Sequence, residues 1–441
     1  MTRRLSLAAA SFAILSAGAQ PAGAQPPRII NGRVTTQAAG TLQSTFGGLV
    51  SGQAEAGWVG YSVPTVAGDR VMCCFDSGDG TSYVSGSMSS GRYCCGACRL
   101  EPSAGSPTQA REAAPPRAAG PVPLEAGSRM IVLFRIAAGR VERIRVFSDE
   151  CELDAGGRPV TWLDGVHPAD SVALLESFAV LPAAGRGDTV MDGAVTAIAL
   201  TGDPSADSAL DRLAAVSQPE AVRRKVMFWL GNSRGAHGLA TLQQVLRSDP
   251  SEEVKKAAVF GVSQSREAAA FDVLAGLARA DAEPKVRSEA VFWLSQKSDP
   301  RASGVILQAL EKDPSPEVRK RAVFALSQLK DNAGVEALIA TAKTSADAAV
   351  RGEAIFWLGQ KAGKAASAAI TDRIDNDPNT EVKKRAVFAL SQMPAAEGVP
   401  LLINAARTNA NPEVRKQAMF WLGQSKDPKA LAFFEEVLLK K

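Results

Sequence analysis

The sequence predicts a mainly α-helical chain in two parts: a small β-rich, cysteine-containing domain, then a solenoid of stacked helical hairpins. Three observations carry that expectation. Phe228, Phe260, Phe292, Phe324, Phe356, Phe388 and Phe420 stand 32 residues apart, each with a valine six positions before it. All six cysteines, Cys73, Cys74, Cys94, Cys95, Cys98 and Cys151, precede these repeats. Between residues 28 and 100, apolar and polar residues alternate among glycines and serines, the pattern of short strands and loops.

The chain opens with MTRRLSLAAASFAILSAGAQPAGAQPP, a basic start, a short apolar run and small residues at Ala22 and Ala24. This is the pattern of a secretory signal peptide cut near Ala24. Arg3-Arg4 is similar to a twin-arginine signal, but Ser6 breaks that pattern. No later segment supplies the roughly 20 apolar residues of a spanning helix. The expected product is periplasmic or secreted. The expected divisions are 1–24 for the signal peptide, 25–185 for the β-rich domain and 190–441 for the repeats.

Lysine and arginine number 50 against 46 aspartate and glutamate, a net charge of +4. That balance gives no electrostatic case for a nucleic-acid partner.

Within the first domain, GWVGYSVPTV and DRVMCCF read as strands. Residues 101–128, rich in alanine, proline and glycine, read as an insertion or linker. Residues 129–151 read as a hairpin turning at Ala138-Gly139, and a helix is expected near 168–180 with Pro168 at its start. In an oxidising compartment the six cysteines are disulfide candidates, with about 15 possible pairings. Two other readings stay open: four thiolates for zinc from CCGAC with Cys73 and Cys74, and redox chemistry at Cys95-Gly-Ala-Cys98. Cys151 could tie the hairpin to the earlier cluster.

RIINGRV at 28–34 resembles the activation site of trypsin-like proteases. Such an enzyme needs a histidine base and a serine in a glycine-rich loop. The only histidines, His167 and His237, lie in no fitting context, and FDSGDG at 75–80 is a poor serine loop. The protease reading is rejected.

Each 32-residue unit holds two amphipathic runs, such as RASGVILQALEK (301–312) and PEVRKRAVFALSQL (316–329). The DPS between them supplies a capping Ser315 and a first-turn Pro316. The EVR or EVK opening, the small-residue second helix and the following DP turn resemble the short HEAT-like repeats of phycobilisome lyases, over about half the chain. The resemblance implies a right-handed α-solenoid of HEAT-like helical hairpins. Among relatives of that type, deoxyhypusine hydroxylase uses paired His-Glu motifs for iron, and this array has none. Bilin lyases carry no excluding motif.

With Val318 at 0° on a helical wheel, Ala322, Ala325, Leu326 and Leu329 fall from just below 0° to about 80° and form the core stripe. Lys320, Phe324 and Gln328 fall at about 200–280°, on the opposite face. The same positions recur in every unit. Asn232, Gln264, Gln296, Gln328, Gln360, Gln392 and Gln424 follow the phenylalanines by four residues. Arg224, Lys256, Ser288, Lys320, Gly352, Lys384 and Lys416 precede them by four. In HEAT-like arrays the second helices line the concave face, so stacking implies a mostly cationic, an aromatic and a carboxamide row. A comparable ladder of asparagines and tryptophans binds extended peptides in armadillo-repeat import receptors, a different repeat.

Three readings of the phenylalanine row remain: a binding groove, simple packing between neighbouring helices, or a groove filled by the cysteine-rich domain or a second copy. Trp229, Trp293, Trp357 and Trp421 follow alternate phenylalanines while Gly261, Ala325 and Ala389 take the other units. That large–small alternation reads as packing, with a 64-residue double repeat. Thr196 in place of the first phenylalanine, and a closing PKALAFFEEVLLKK with a charged outer face, read as end caps. The function expected is a non-enzymatic scaffold for a protein or extended peptide, with no cofactor and no metal. A lyase-like or other enzyme and a cell-envelope assembly scaffold are the competing classes.

Overall fold

A computed structural model of the chain describes residues 27–53, 55–66, 98–101, 128–149, 152–181, 189–329, 332–361 and 364–439. It divides into two compact units, residues 1–174 and 175–441.

The first unit is built on a five-stranded sheet of order β2-β8-β3-β5-β6, beside a three-stranded sheet β1-β7-β4. The strands are β1 (Ile29–Ile30), β2 (Val34–Ala38), β3 (Gly57–Pro64), β4 (Cys98–Arg99), β5 (Arg129–Ala137), β6 (Arg140–Ser148), β7 (Leu153–Asp154) and β8 (Val160–Asp164). The hairpin β5–β6 turns at Ala138 and Gly139, both at positive φ, as a two-residue turn of the primed type requires. Strand β3 is buried on both faces. One face carries Trp58, which packs with Ile131, Leu133, Trp162, Leu153 and Leu100. On the other, Phe134 meets Phe46 edge-on at 4.7 Å, and the Tyr61 hydroxyl lies 2.8 Å from Ser171 Oγ. Burial raises the Tyr61 phenol well above its ordinary pKa, against the Ser171 hydrogen bond.

Phe46 lies on α1 (Leu42–Gly52) and Ser171 on α2 (Pro168–Ala179). The alternation between 28 and 100 had suggested strands and loops only. Helix α1 forms there because Leu42 and Phe46, one turn apart, bury together against the sheet. Of the cysteines, Cys98 lies in β4, whereas Cys73, Cys74, Cys94, Cys95 and Cys151 lie outside the described residues. The disulfide, zinc and redox readings fall there too, as does the segment 1–24.

From α3 (Thr189–Leu200) onward the second unit runs as seven described hairpins. Their first helices are α4 (Pro204–Ala214), α6 (Gly235–Ser248), α8 (Ala270–Ala280), α10 (Ala302–Lys312), α12 (Asn332–Thr344), α14 (Lys364–Asn376) and α16 (Ala395–Thr408). Their second helices are α5 (Glu220–Ser233), α7 (Glu252–Gln264), α9 (Pro284–Gln296), α11 (Pro316–Gln328), α13 (Ala348–Gln360), α15 (Thr380–Ser391) and α17 (Pro412–Gln424). Helix α18 (Pro428–Leu439) closes the described array. Successive second helices pack far more closely than successive first helices, so the second helices form the shorter, inner layer of the stack.

The core stripe is as the wheel places it: Val318, Ala322, Ala325 and Leu326 are fully buried, with Leu329 partly buried, and Val323, off that stripe, is buried as well. Inner-layer contact alternates, denser within α5–α7, α9–α11 and α13–α15 than between these pairs. The cause is the size alternation noticed in the sequence. A Cβ on Gly231 would stand 1.9 Å from the Gly261 carbonyl oxygen, and one on Gly359 2.7 Å from that of Ala389. Small residues let the members of a pair approach, and tryptophans separate one pair from the next.

A second repeating interaction ties the loops together. Arg223, Arg287 and Arg351, the arginines following the repeat valines, each grip an aspartate 26 residues on: Asp249, Asp313 and Asp377. Each also donates to carbonyls of the loop before its own helix, as Arg287 Nη1 does to Asp281 at 2.9 Å. The aspartates in turn accept a backbone N–H two residues on, such as Ser315 N to Asp313 at 2.8 Å. Ser315, the expected cap of α11, makes no side-chain capping bond. Asp313 orders that turn instead.

The closing helix differs from its expected charged cap. Leu431, Leu438 and Leu439 are 63, 81 and 80 % exposed. Charges at Lys429 and Glu435 are interleaved with these leucines rather than covering a face of their own.

Candidate functional site: an aromatic rail on the inner helices

The repeat phenylalanines and tryptophans form one continuous chain of eleven rings. In order of contact they are Trp229, Phe228, Phe260, Trp293, Phe292, Phe324, Trp357, Phe356, Phe388, Trp421 and Phe420. Within each close helix pair the two phenylalanines lie nearly parallel: Phe292 and Phe324 have centroids 5.9 Å apart and planes 7° apart. Between pairs the next tryptophan reaches back to the preceding phenylalanine, as Trp357 does to Phe324 at 4.9 Å. Tryptophan therefore belongs to the rail and not only to the core. Trp229 is buried, while Trp293, Trp357 and Trp421 are partly exposed.

Phe228, Phe260, Phe292, Phe324, Phe356 and Phe388 are half-buried, and Phe420 is 54 % exposed. The row is thus neither core nor a bare apolar surface. Neighbouring rings cover much of one another and leave a strip facing water.

The carboxamide row flanks the rail. Gln296, Gln328, Gln360, Gln392 and Gln424 are exposed, as is Asn232, and Gln264 is partly exposed. In four units the amide is held: Gln264, Gln296, Gln328 and Gln392 donate through Nε2 to Ser263, Ser295, Ser327 and Ser391. Each serine hydroxyl donates in turn to the carbonyl of the rail phenylalanine three residues before it, Ser327 to Phe324 at 2.6 Å for example. The Ser-Gln dipeptide carried this relay in plain view, but it reads in sequence as a small residue beside a polar one.

The cationic row is less uniform. Lys256 pairs with Glu253 at 2.9 Å and Lys384 with Glu381 at 3.1 Å, each one turn earlier on its own helix. Lys320, Lys416 and Arg224 are exposed, while Ser288 and Gly352 are buried. Two arginines absent from the sequence reading belong to this face. Arg321 lies over the Phe292 ring at 4.5 Å and reaches Glu289 at 3.4 Å. Arg385 runs across Gly352, where a Cβ would stand 2.7 Å from its Cδ. Both sit three residues before a rail phenylalanine and are reached by the neighbouring helix, a relation that no single-helix wheel displays.

The array's one histidine, His237, lies on first helix α6 with Asp211 and Thr241 around it. Among the described residues, no group of three or more histidine, cysteine, aspartate or glutamate side chains is arranged to hold a metal ion. No described helix is long and apolar enough to cross a membrane.

The family model for HEAT repeats matches residues 206–291, 275–359 and 367–441. The chain belongs to the HEAT-repeat family. No curated protein matches it in sequence. Among solved structures, it is similar to human deoxyhypusine hydroxylase in complex with glycerol, at 18 % identity over 61 % of this chain and 97 % of that one, TM-score 0.25. It is also similar to YibA of Escherichia coli, at 22 % identity over 53 % and 87 %, TM-score 0.34. The complex of CpcE and CpcF of phycocyanin lyase from Nostoc sp. PCC7120 is matched at 21 % identity over 34 % and 96 %, TM-score 0.28.

Proposed function

We propose that this HEAT-repeat protein is an exported, non-enzymatic scaffold that holds a protein or peptide partner along the aromatic rail. The observation that carries the reading is the continuity of the rail: eleven rings in contact along the inner helices, partly open to water. A strip of ring edges beside exposed carboxamides offers apolar contact and hydrogen bonds together, as a protein interface does. Of its lysines, Lys256 and Lys384 are set against glutamates of their own helices, while Lys320 and Lys416 stand exposed. Export rests on the opening segment of residues 1–24, and the address that follows from it is periplasmic or extracellular.

The test is capture from the exported protein fraction with wild type and a Phe292→Ser/Phe324→Ser/Phe356→Ser variant, with thermal melts of both. Loss of a captured partner by a variant that still unfolds cooperatively, at a lowered melting temperature, is the expected result. Retention of every partner by a folded variant would overturn the reading. Loss of cooperative unfolding in the variant would assign the rings to packing instead.

A further inference from the structure

The inner helices meet at four junctions between close pairs: α3–α5, α7–α9, α11–α13 and α15–α17. Equivalent residues at the ends of the leading helices stand 64 apart: Thr201, Ser265, Leu329 and Met393. At the first junction Arg234 Nη1 donates to the Thr201 carbonyl at 2.9 Å. At the second Lys297 Nζ donates to the Ser265 carbonyl at 3.3 Å. Lys297 is half-buried, and burial pulls its pKa below the ordinary value, as it does for an ammonium drawn out of water. At the third junction the corresponding Lys361 is exposed.

The fourth junction lacks that lysine. Ser425 stands 128 residues after Lys297, and Met393 stands 128 after Ser265. The Met393 carbonyl accepts no hydrogen bond among the described residues. Where Lys297 lies at the second junction, the fourth has an open cleft of about 240 Å³, whose walls include Leu390, Met393, Val399, Leu402, Trp421 and Ser425. Lys426 holds the position of Arg234, but it is exposed and does not line the cleft.

The chemistry of the cleft matches the side chain that the chain itself puts at α7–α9. Its apolar walls suit a four-carbon stem. Helices α15 and α17 both end there, and the carbonyls of a helix C-terminus carry partial negative charge that favours a cation and disfavours an anion. The carboxamide oxygens of Gln392 and Gln424 add acceptors at its edge. No carboxylate lines the cleft, so an entering ammonium meets dipoles and not an existing ion pair. The cleft also borders the open end of the rail, because Trp421 contacts Phe420, the most exposed ring, at 5.0 Å.

We propose that the α15–α17 junction is a socket for a lysine side chain of the partner, its stem against Leu402 and Trp421 and its ammonium donating to the Met393 carbonyl. The socket deepens the binding reading above, since it names a side chain that the partner inserts at the open end of the rail.

The probe is Nα-acetyl-lysine amide, titrated into the full chain with ¹⁵N-labelled indoles. The Trp421 signal is assigned by its loss in Trp421→Phe. The expected result is a saturable shift of that signal, with at least about tenfold weaker binding of Nα-acetyl-norleucine amide, which has the stem without the ammonium. Ser425→Lys supplies the chain's own lysine and is expected to abolish the shift at an unchanged melting temperature. Lys297→Ser is expected to open the equivalent site and add a saturable shift at Trp293. Equal binding of the two amides would make the cleft an apolar pocket and overturn the ammonium reading. An unmoved Trp421 signal, or an undiminished shift in a folded Ser425→Lys variant, would overturn the socket altogether. The rail itself is decided separately, by the capture experiment with the phenylalanine variant.

Discussion

Two ladders run along the described second helices, the ionic one within the pairs α5–α7, α9–α11 and α13–α15 and the aromatic one through all seven, and they differ in what water can reach. Near the start of each helix runs the ionic one, with Arg287 7 % and Asp377 1 % exposed. Further along the helices runs the aromatic one, buried at Trp229, half-buried along most of its length and open at Phe420. The ionic ladder is directional: each guanidinium fork faces a carboxylate and two loop carbonyls, so it fixes the register of one repeat on the next. The aromatic ladder is tolerant of small slips, since ring pairs accept several offsets at similar energy. A ladder that sets register has reason to be sealed. One that stays partly wet has exposed area to give to a partner.

The largest effect should come from cutting the sealed ladder. Arg351→Ala leaves Asp377 buried with only the more distant Arg373, 4.0 Å away, and breaking a buried pair typically costs about 3–5 kcal/mol. Urea unfolding followed by far-UV circular dichroism should show it as a marked fall in midpoint. The double variant Arg351→Met/Asp377→Leu removes both charges and should recover most of the loss. If the single variant unfolds like wild type, the ladder does not fix the repeats and the contrast drawn above fails.

An intermediate effect belongs to the rail. Phe324→Ala removes contacts with Phe292 and Trp357, but from a site that is already half in water. A fully buried phenylalanine costs about 3–5 kcal/mol when truncated, and here about 2 kcal/mol is expected in the same urea assay. A cost equal to that of Arg351→Ala would make the rail a second core, and its claim to a partner would weaken.

The sequence shows these two ladders unequally, and the reason is physical. A 32-residue period announces the solenoid, and the wheel separates Val318, Ala322 and Leu326 from Phe324 and Gln328, because one helix fixes those directions. Contacts between helices are not written that way. Arg287 follows the repeat valine in KVR and Asp313 opens the DPS turn, yet their pairing spans 26 residues and depends on the stacking of hairpins. Arg321 lies over a phenylalanine of the preceding hairpin for the same reason. The large–small alternation at Trp293 and Ala325 did imply a double repeat, because bulk at a shared position translates directly into helix spacing. The tryptophans' place in the rail was missed, since packing and exposure are not exclusive for so large a ring. At the far end, Leu431 and Leu438 show that charged letters in a closing helix do not make a charged face.

The smallest effect per site should come from acid, and it separates the ladders without removing an atom of the rail. Burial pushes the carboxyls of Asp313 and Asp377 up, but the hydrogen bonds and charges of Arg287 and Arg351, with a backbone N–H each, outweigh it and hold both below the ordinary value. Asp347 is lowered chiefly by its hydrogen bond to Arg319. A carboxyl whose folded pKa is depressed contributes stability that is complete above its unfolded value, about 3.9, and is lost as pH falls through the folded one. The rings of the rail do not titrate. The urea midpoint should therefore hold from neutrality to about pH 5 and fall below about pH 4. Asp347→Asn keeps an acceptor for the Ala349 N–H and removes one titrating group, so its midpoint should fall less between pH 5 and pH 3 than that of wild type. An identical fall would place the acid sensitivity away from Asp347 and its pair with Arg319.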